Sequence, residues 1–156
     1  MSQNIYDPET GELYYLGRGF AFPFNFDDSG GVEWVYNRLG DYPGIKMTIL
    51  HILGCHVGRR RMLRDFGGDL HKFLFEPLVE ELVDDVVDYV ERAITKWEPR
   101  VTLQGAGMGV SGKIVIPMKK LEILTNFTVI KTQQSSNLVM VLDADLKRII
   151  PILNAE

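Results

Sequence analysis

One stretch, from Glu76 to Arg100, constrains the fold of this chain more than any other. Val79, Leu82, Val83, Val86, Val90, Ala93, Ile94 and Trp97 recur at three- and four-residue spacing, which lays one apolar stripe along a helix. Glu80, Glu81, Asp84, Asp85 and Asp88 fall off that stripe toward the positive end of the helix. Arg92 and Lys96 fall toward its negative end, so the charges suit the macrodipole. Glu76-Pro77 predicts the start, because proline tolerates the first helical position, where its missing N–H would have no partner. Pro99 predicts the stop and pushes Glu98 out of the α region.

A second, shorter helix is expected before this one. Ile45, Ile49, Ile52 and Leu53 mark its apolar face after the breaker Asp41-Tyr42-Pro43-Gly44, and Gly58 is its expected C-terminal cap. The connection from Arg59 to Phe75 should fold the two helices together. Further upstream, Phe20 to Phe26 is aromatic-rich and reads as an edge strand because it contains Pro23. Asp27 to Gly31 reads as a turn and Val32 to Asn37 as a short strand. After Arg100 the period changes to two. Val101–Gln104, Ile114–Met118, Leu121–Lys131 and Leu138–Leu142 read as strands, with a hairpin loop over Thr132 to Asn137. The expected class is α+β: two helices packed on a small antiparallel β-sheet. A domain over 20–142 is expected, with an N-terminal arm over 1–19 and a C-terminal tail over 143–156. The tail should contain a helical turn, and its apolar Leu146, Ile149, Ile150, Ile152 and Leu153 point to docking on a partner.

The totals remove several classes. A chain of 156 residues with 46% hydrophobic residues can bury a core of its own as one domain. Its net charge of −4 argues against nucleic acid, which favours concentrated positive charge. One cysteine excludes an internal disulfide and suits folding in a reducing compartment. The start, Met1 to Gly11, is polar and acidic and does not read as a secretory signal. No apolar run approaches the roughly 18–20 residues of a membrane span.

Five groups of residues invite a chemical reading. Glu98-Pro99-Arg100 holds a carboxylate and a guanidinium at a helix-to-strand corner with proline fixing the backbone between them. Read from the residues alone, the two form an internal ion pair that caps the helix. Arg59-Arg60-Arg61 with Arg64 is a basic cluster without interleaved aromatics, and reads as a solvated turn pairing with acids such as Asp65 and Asp69. Gly105 to Gly112 is rich in glycine, but a strand follows it, so the helix dipole of a phosphate site is missing and a flexible connection is expected. His51 and Cys55 stand four apart on a helix, with His56 and His71 elsewhere, yet no matching second pair exists. No metal and no cofactor is therefore expected. Glu98, Asp65 and Glu76 could be proposed as a glycosidase pair, but nothing in the sequence builds a sugar cleft around them.

Three stretches also carry a family likeness. The run from Gly58-Arg59-Arg60-Arg61-Met62-Leu63-Arg64 to Asp65-Phe66-Gly67 is followed by Leu74-Phe75-Glu76-Pro77 and then by a helix closing on Trp97-Glu98-Pro99-Arg100. That order resembles the baseplate wedge family of contractile injection machines, the sheath initiators and "lysozyme-like" baseplate proteins. The family spans contractile-tailed phages, R-type pyocins, type VI secretion and extracellular contractile injection systems. The likeness covers roughly residues 20 to 142 and does not extend to the arm or the tail. It implies a structural role rather than an enzymatic one, in a protein made in the cytoplasm and then built into an injection particle. By the same resemblance, Trp97, Glu98, Pro99 and Arg100, with Arg61 and Arg64 of the arginine turn, would dock on the large baseplate wedge proteins. Leu138, Val139, Met140, Val141 and Leu142 would form a sheet edge that pairs with first-ring sheath subunits. Tube or hub proteins are further candidate partners, and neither nucleic acid nor membrane is expected. The alternative is a peptidoglycan-cleaving muramidase carried by the same particle.

Overall fold

The computed structural model describes residues 11–20, 26, 28–103, 109–115, 118–143 and 148–152. The chain divides into two compact units, residues 1–48 and 49–156. Helix α1 (Pro43–Gly54) begins in the first and ends in the second.

In the first unit a 3₁₀ turn, Tyr14–Leu16, leads into β1 (Arg18–Phe20), which pairs antiparallel with β2 (Trp34–Tyr36). Phe20 and Trp34 face each other across the ladder with ring centroids 4.4 Å apart. The buried Asn37 ties this unit together. Its Nδ2 donates to the carbonyl of Gly17 at 3.2 Å, and its Oδ1 accepts from the backbone N–H of Ile45 at 3.2 Å. The second bond satisfies one of the orphan donors in the first turn of α1, a capping role taken here by a residue outside the helix. Gly44 is small for the same reason, since a Cβ there would lie 2.8 Å from the Asn37 amide. Leu13 donates to the Asn37 carbonyl at 2.8 Å, and Leu13 and Leu16 are buried. Of the expected N-terminal arm over 1–19, residues 11–19 carry these hydrogen bonds and buried side chains, and residues 1–10 lie outside the described residues. The aromatic strand expected over Phe20 to Phe26 meets β1 only at Phe20, and residues 21–25 lie outside the described residues.

The expected apolar face of α1 is buried at Ile45, Ile49, Ile52 and Leu53. The helix ends at Gly54 and Gly58 is not its cap. Gly58, at φ +86°, donates to the Arg64 carbonyl at 2.7 Å and closes the arginine turn instead. The loop at 67–69 then comes back against the end of α1. Gly68 donates to Ile52 at 2.6 Å and Asp69 to Cys55 at 3.2 Å. Gly67, at φ +126°, faces the Cys55 carbonyl so closely that no Cβ fits. A 3₁₀ turn, Leu70–Phe75, buries Leu70, Phe73 and Leu74.

The long helix α2 runs over Glu80–Trp97, so it begins at Glu80 and not at Pro77. The 3₁₀ turn uses the chain up to Phe75, Glu76 is extended as a residue before proline must be, and Val79 stays extended at φ −116°, ψ 162°. Val79 consequently leaves the stripe and is exposed. Leu82, Val86, Val90, Ala93 and Ile94 are buried as the periodicity predicts. Each of the larger four contributes about 1.5–3 kcal/mol on leaving water.

All pairings in the sheet of the second unit are antiparallel, which fits the expected α+β class. Its strands are β3 (Val101–Leu103), β4 (Val110–Val115), β5 (Lys120–Val129), β6 (Gln134–Asp143) and β7 (Arg148–Ile152). The order is β3-β5-β6-β7, with β4 also paired to β5. Strand β5 alternates strictly and buries Leu121, Ile123, Thr125, Phe127 and Val129. Gly112 of β4 faces Val83 and Val87 of α2, and a Cβ there would lie 2.5 Å from Val83 Cγ1. Three expectations change here. Val110 to Gly112, expected in a flexible connection, already form β4, while residues 105–108 lie outside the described residues. The expected hairpin loop is a tight turn, because β6 resumes at Gln134 after Gln133 at φ +55° donates to Val129 at 2.8 Å. Within the expected tail, residues 148–152 form β7 and not a helical turn. The alternation Ile150-Pro151-Ile152 is short, and only its partner β6 makes it a strand.

Candidate partner-binding corner

Trp97 is the last residue of α2, and the chain turns there into β3. Glu98 donates its backbone N–H to Ile94 at 2.8 Å and Val101 donates to Glu98 at 3.4 Å, so the corner is closed by main-chain bonds before any side chain acts. Arg100 accepts from Ile130 at 3.0 Å at the start of the β5–β6 turn. The side chains then lock. Arg100 Nε donates to Glu98 Oε1 and Nη2 to Oε2, both at 2.6 Å, a bidentate fork that a lysine could not make. The Arg100 backbone N–H reaches the same Oε1 at 3.3 Å. Glu98 is 2% exposed, whereas the Arg100 side chain is 34% exposed. The ion pair read from the residues alone is therefore present. Glu98 faces inward and fixes the guanidinium, and the part of the pair that reaches the surface is Arg100.

A second set of contacts joins this corner to the arginine turn. The edge of Phe66 meets the Trp97 ring at 5.1 Å, and the Arg60 guanidinium lies 4.3 Å over Phe66. Lys96 covers Trp97 at 4.6 Å and pairs with Asp65 at 3.1 Å. The hydrogen bond from Lys96 holds the Asp65 carboxyl below the usual carboxylate range. Arg61, Met62, Leu63 and Arg64 are exposed, with Met62 at the tip in a left-handed conformation, φ +62°. The resemblance points to Arg61 and Arg64, and the basic cluster includes Arg60, but neither reading assigns Phe66 or Lys96 to the corner, and these join the turn to Trp97 across a long chain separation. The flanking Asp65-Phe66-Gly67 motif is the trace they leave in the sequence.

The expected sheet edge lies elsewhere. Strand β6 pairs with β5 along its whole length and with β7 over Val139–Asp143, so Val139, Met140, Val141 and Leu142 are inside the sheet and only Leu138 lies at the end of the doubly paired segment. Leu138, Met140, Val141 and Leu142 are buried. The apolar character that suggested an exposed edge reflects burial in the core. The outer members among the described strands are β7 on one side and β3 with β4 on the other.

Of the carboxylates weighed for glycoside cleavage, Glu98 is held by Arg100 and Asp65 by Lys96, and Glu76 is exposed. Of the metal candidates, His51 is exposed and Cys55 is a free thiol. His56 and His71 come together instead with Asp69 at the end of α1, and their ligand atoms lie within 4.8 Å of one another. Burial first, and the neighbouring His56 second, push the His71 imidazole below its ordinary value, against the pull of Asp69. No helix among the described residues is long and apolar enough to cross a membrane.

Residues 43–112, which hold α1, the arginine turn, α2 and the corner, match the family model for the baseplate wedge protein gp25. No curated protein sequence matches the chain. Among solved structures, a candidate tail lysozyme from Geobacter sulfurreducens is 28% identical with a TM-score of 0.55, over 63% of this chain and 86% of its own. A chain of the anti-feeding prophage baseplate is 21% identical with a TM-score of 0.55, over 82% of this chain and 86% of its own. A chain of the post-contraction pyocin R2 baseplate is 24% identical, over 68% of this chain and 97% of its own, with a TM-score of 0.48. The likeness to the anti-feeding prophage chain concerns the fold.

Proposed function

We propose that this chain is a structural baseplate component of a contractile injection particle, anchored to larger wedge proteins through the corner at Trp97–Arg100 and the arginine turn beside it. One observation carries the reading. A buried carboxylate holds a partly exposed guanidinium in a fixed fork, inside the segment that matches the baseplate wedge family. An arginine fixed before binding loses little side-chain freedom on docking, so its exposed side-chain surface meets a partner at low entropic cost. Trp97 meets Phe66 at the end of the arginine turn, in which Arg61 and Arg64 are exposed.

Sheath initiation is the second part of the proposal. Strand addition needs an outer strand, and β7 is the one we assign to it, in place of Leu138–Leu142. Pro151 suits an outer strand because it has no N–H to offer a ladder, and it limits how far a guest strand can bond there.

The test is complementation of a particle-producing strain that lacks this protein. Arg100→Ala and the double variant Arg61→Ala/Arg64→Ala should keep the far-ultraviolet circular dichroism of the wild type. They should be depleted at least about tenfold from particles recovered by sedimentation, as expected when an interface arginine worth more than ~1.4 kcal/mol is lost. Normal incorporation of both would remove the anchor assignment. The name borne by the Geobacter sulfurreducens relative keeps one alternative in view, a peptidoglycan-cleaving activity. Clearing of a cell-wall zymogram by the purified chain, lost in a Glu98→Gln variant that still folds, would establish it.

A further inference from the structure

We propose that His56, Asp69 and His71 form a binding site for one divalent transition metal of the zinc class, which clips the two ends of the arginine turn together. His56 lies just past the end of α1, and Asp69 and His71 lie at the start of the 3₁₀ turn. The chain between them is the arginine turn.

The donor set is two imidazole nitrogens and one carboxylate oxygen. That combination suits a borderline ion and leaves a coordination position for water. The ligand atoms lie within 4.8 Å of one another. Two ligands about 2.0–2.1 Å from a tetrahedral ion stand closer than this, so the set must contract. The part that can move is identifiable, because the His56 side chain is 52% exposed and Asp69 28% exposed. His56 Nδ1 and Asp69 Oδ1 already meet at 2.6 Å, and ligation would exchange that bond for two bonds to the ion.

A second observation points to a ligand. His71 Nδ1 is buried and has no hydrogen-bond partner among the described residues. Leaving a buried polar atom unpaired costs stability, and imidazole nitrogens in such a position are usually satisfied. The two imidazole rings lie 4.6 Å apart at 33°. Asp69 is held at φ +38°, a conformation that aspartate tolerates better than most residues, and its N–H is bonded to Cys55. The main chain thus delivers the carboxylate to His56 at the expense of an unusual backbone geometry. Lys72 does not compete for this carboxylate, since its ammonium lies over the Phe73 and Tyr89 rings.

The test uses the full-length chain without a histidine tag, stripped with a chelator and titrated with Zn2+ by calorimetry at neutral pH. The expected result is one ion per chain, a higher midpoint of thermal unfolding with zinc, and slower tryptic cleavage at Arg59 to Arg64. Co2+ in place of Zn2+ should give ligand-field absorption bands that Zn2+ displaces. His56→Ala changes an exposed residue, and Asp69→Asn keeps a residue that accepts the left-handed backbone. Each should weaken binding by about tenfold or more and abolish the protection from trypsin. His51→Ala should leave both unchanged. Absence of saturable binding overturns the site, as does equal weakening by His51→Ala. Zinc that binds without slowing cleavage overturns the clip. None of these readouts depends on docking, so the metal site and the docking corner stand or fall separately.

Discussion

At the scale of single residues, the polar groups of this protein fall into those that found a partner and those that did not. Glu98 is buried and held by a bidentate fork, so removing it takes two charge-assisted hydrogen bonds from Arg100. Arg100 is about one-third exposed and can be rehydrated, so Glu98→Ala should cost less than the ~3–5 kcal/mol of a fully buried pair, at about 2 kcal/mol in urea unfolding. Thr125 is the opposite case. Its Oγ1 is buried with no hydrogen-bond partner among the described residues, on the inward face of β5. Thr125→Val keeps the shape and removes the unpaired hydroxyl, and should raise stability by about 1 kcal/mol. Asp65 is exposed and carries a pH signature. Its folded-state pKa is lowered, chiefly by the Lys96 hydrogen bond, so the stabilisation is present above the ordinary carboxylate value and is lost as pH falls through the lower folded value. The window is therefore acidic, below about pH 4. In a comparison of unfolding midpoints, Asp65→Asn should lower the midpoint slightly at neutral pH, where the charged pair is present, and match the wild type once pH falls below that window.

At the scale of elements, the close approach of α2 to β4 depends on Gly112. A Cβ at that position meets Val83 at a distance that real side chains do not adopt, and would also touch Val87. Gly112→Ala should therefore destabilise by about 1–3 kcal/mol through overpacking, although alanine suits a strand better than glycine does. Restoration of the midpoint in the double variant Gly112→Ala/Val83→Ala would identify the contact as the cause. The helix itself was legible because its stripe, its charges and Pro99 agree. Its start was not, because Pro77 suits both a first helical residue and the extended segment before a helix. The 3₁₀ turn over Leu70–Phe75 decided between them by burying Phe73 and Leu74 and leaving Phe75 outside.

At the scale of the whole molecule, β7 has the largest consequence. It covers Val139–Asp143 of β6, and without it a run of apolar residues would offer unpaired main-chain groups to any passing strand. A chain truncated after Leu146 should unfold at lower temperature and self-associate in light scattering. A truncated protein that stays monomeric would show that β6 needs no cover. The periodicities, the proline stop, the adjacent Glu98–Arg100 pair and the antiparallel class were determined by the sequence, because each depends on neighbours a few residues away or on a repeat along one element. Tertiary structure alone decided that Leu138–Leu142 is interior, that residues 148–152 are a strand and that Asn37 holds both Gly17 and the first turn of α1. It also brought His56, Asp69 and His71 to one point. Those outcomes depend on which distant residue arrives at a given place, and that is fixed by the packing of the core rather than by spacing along the chain.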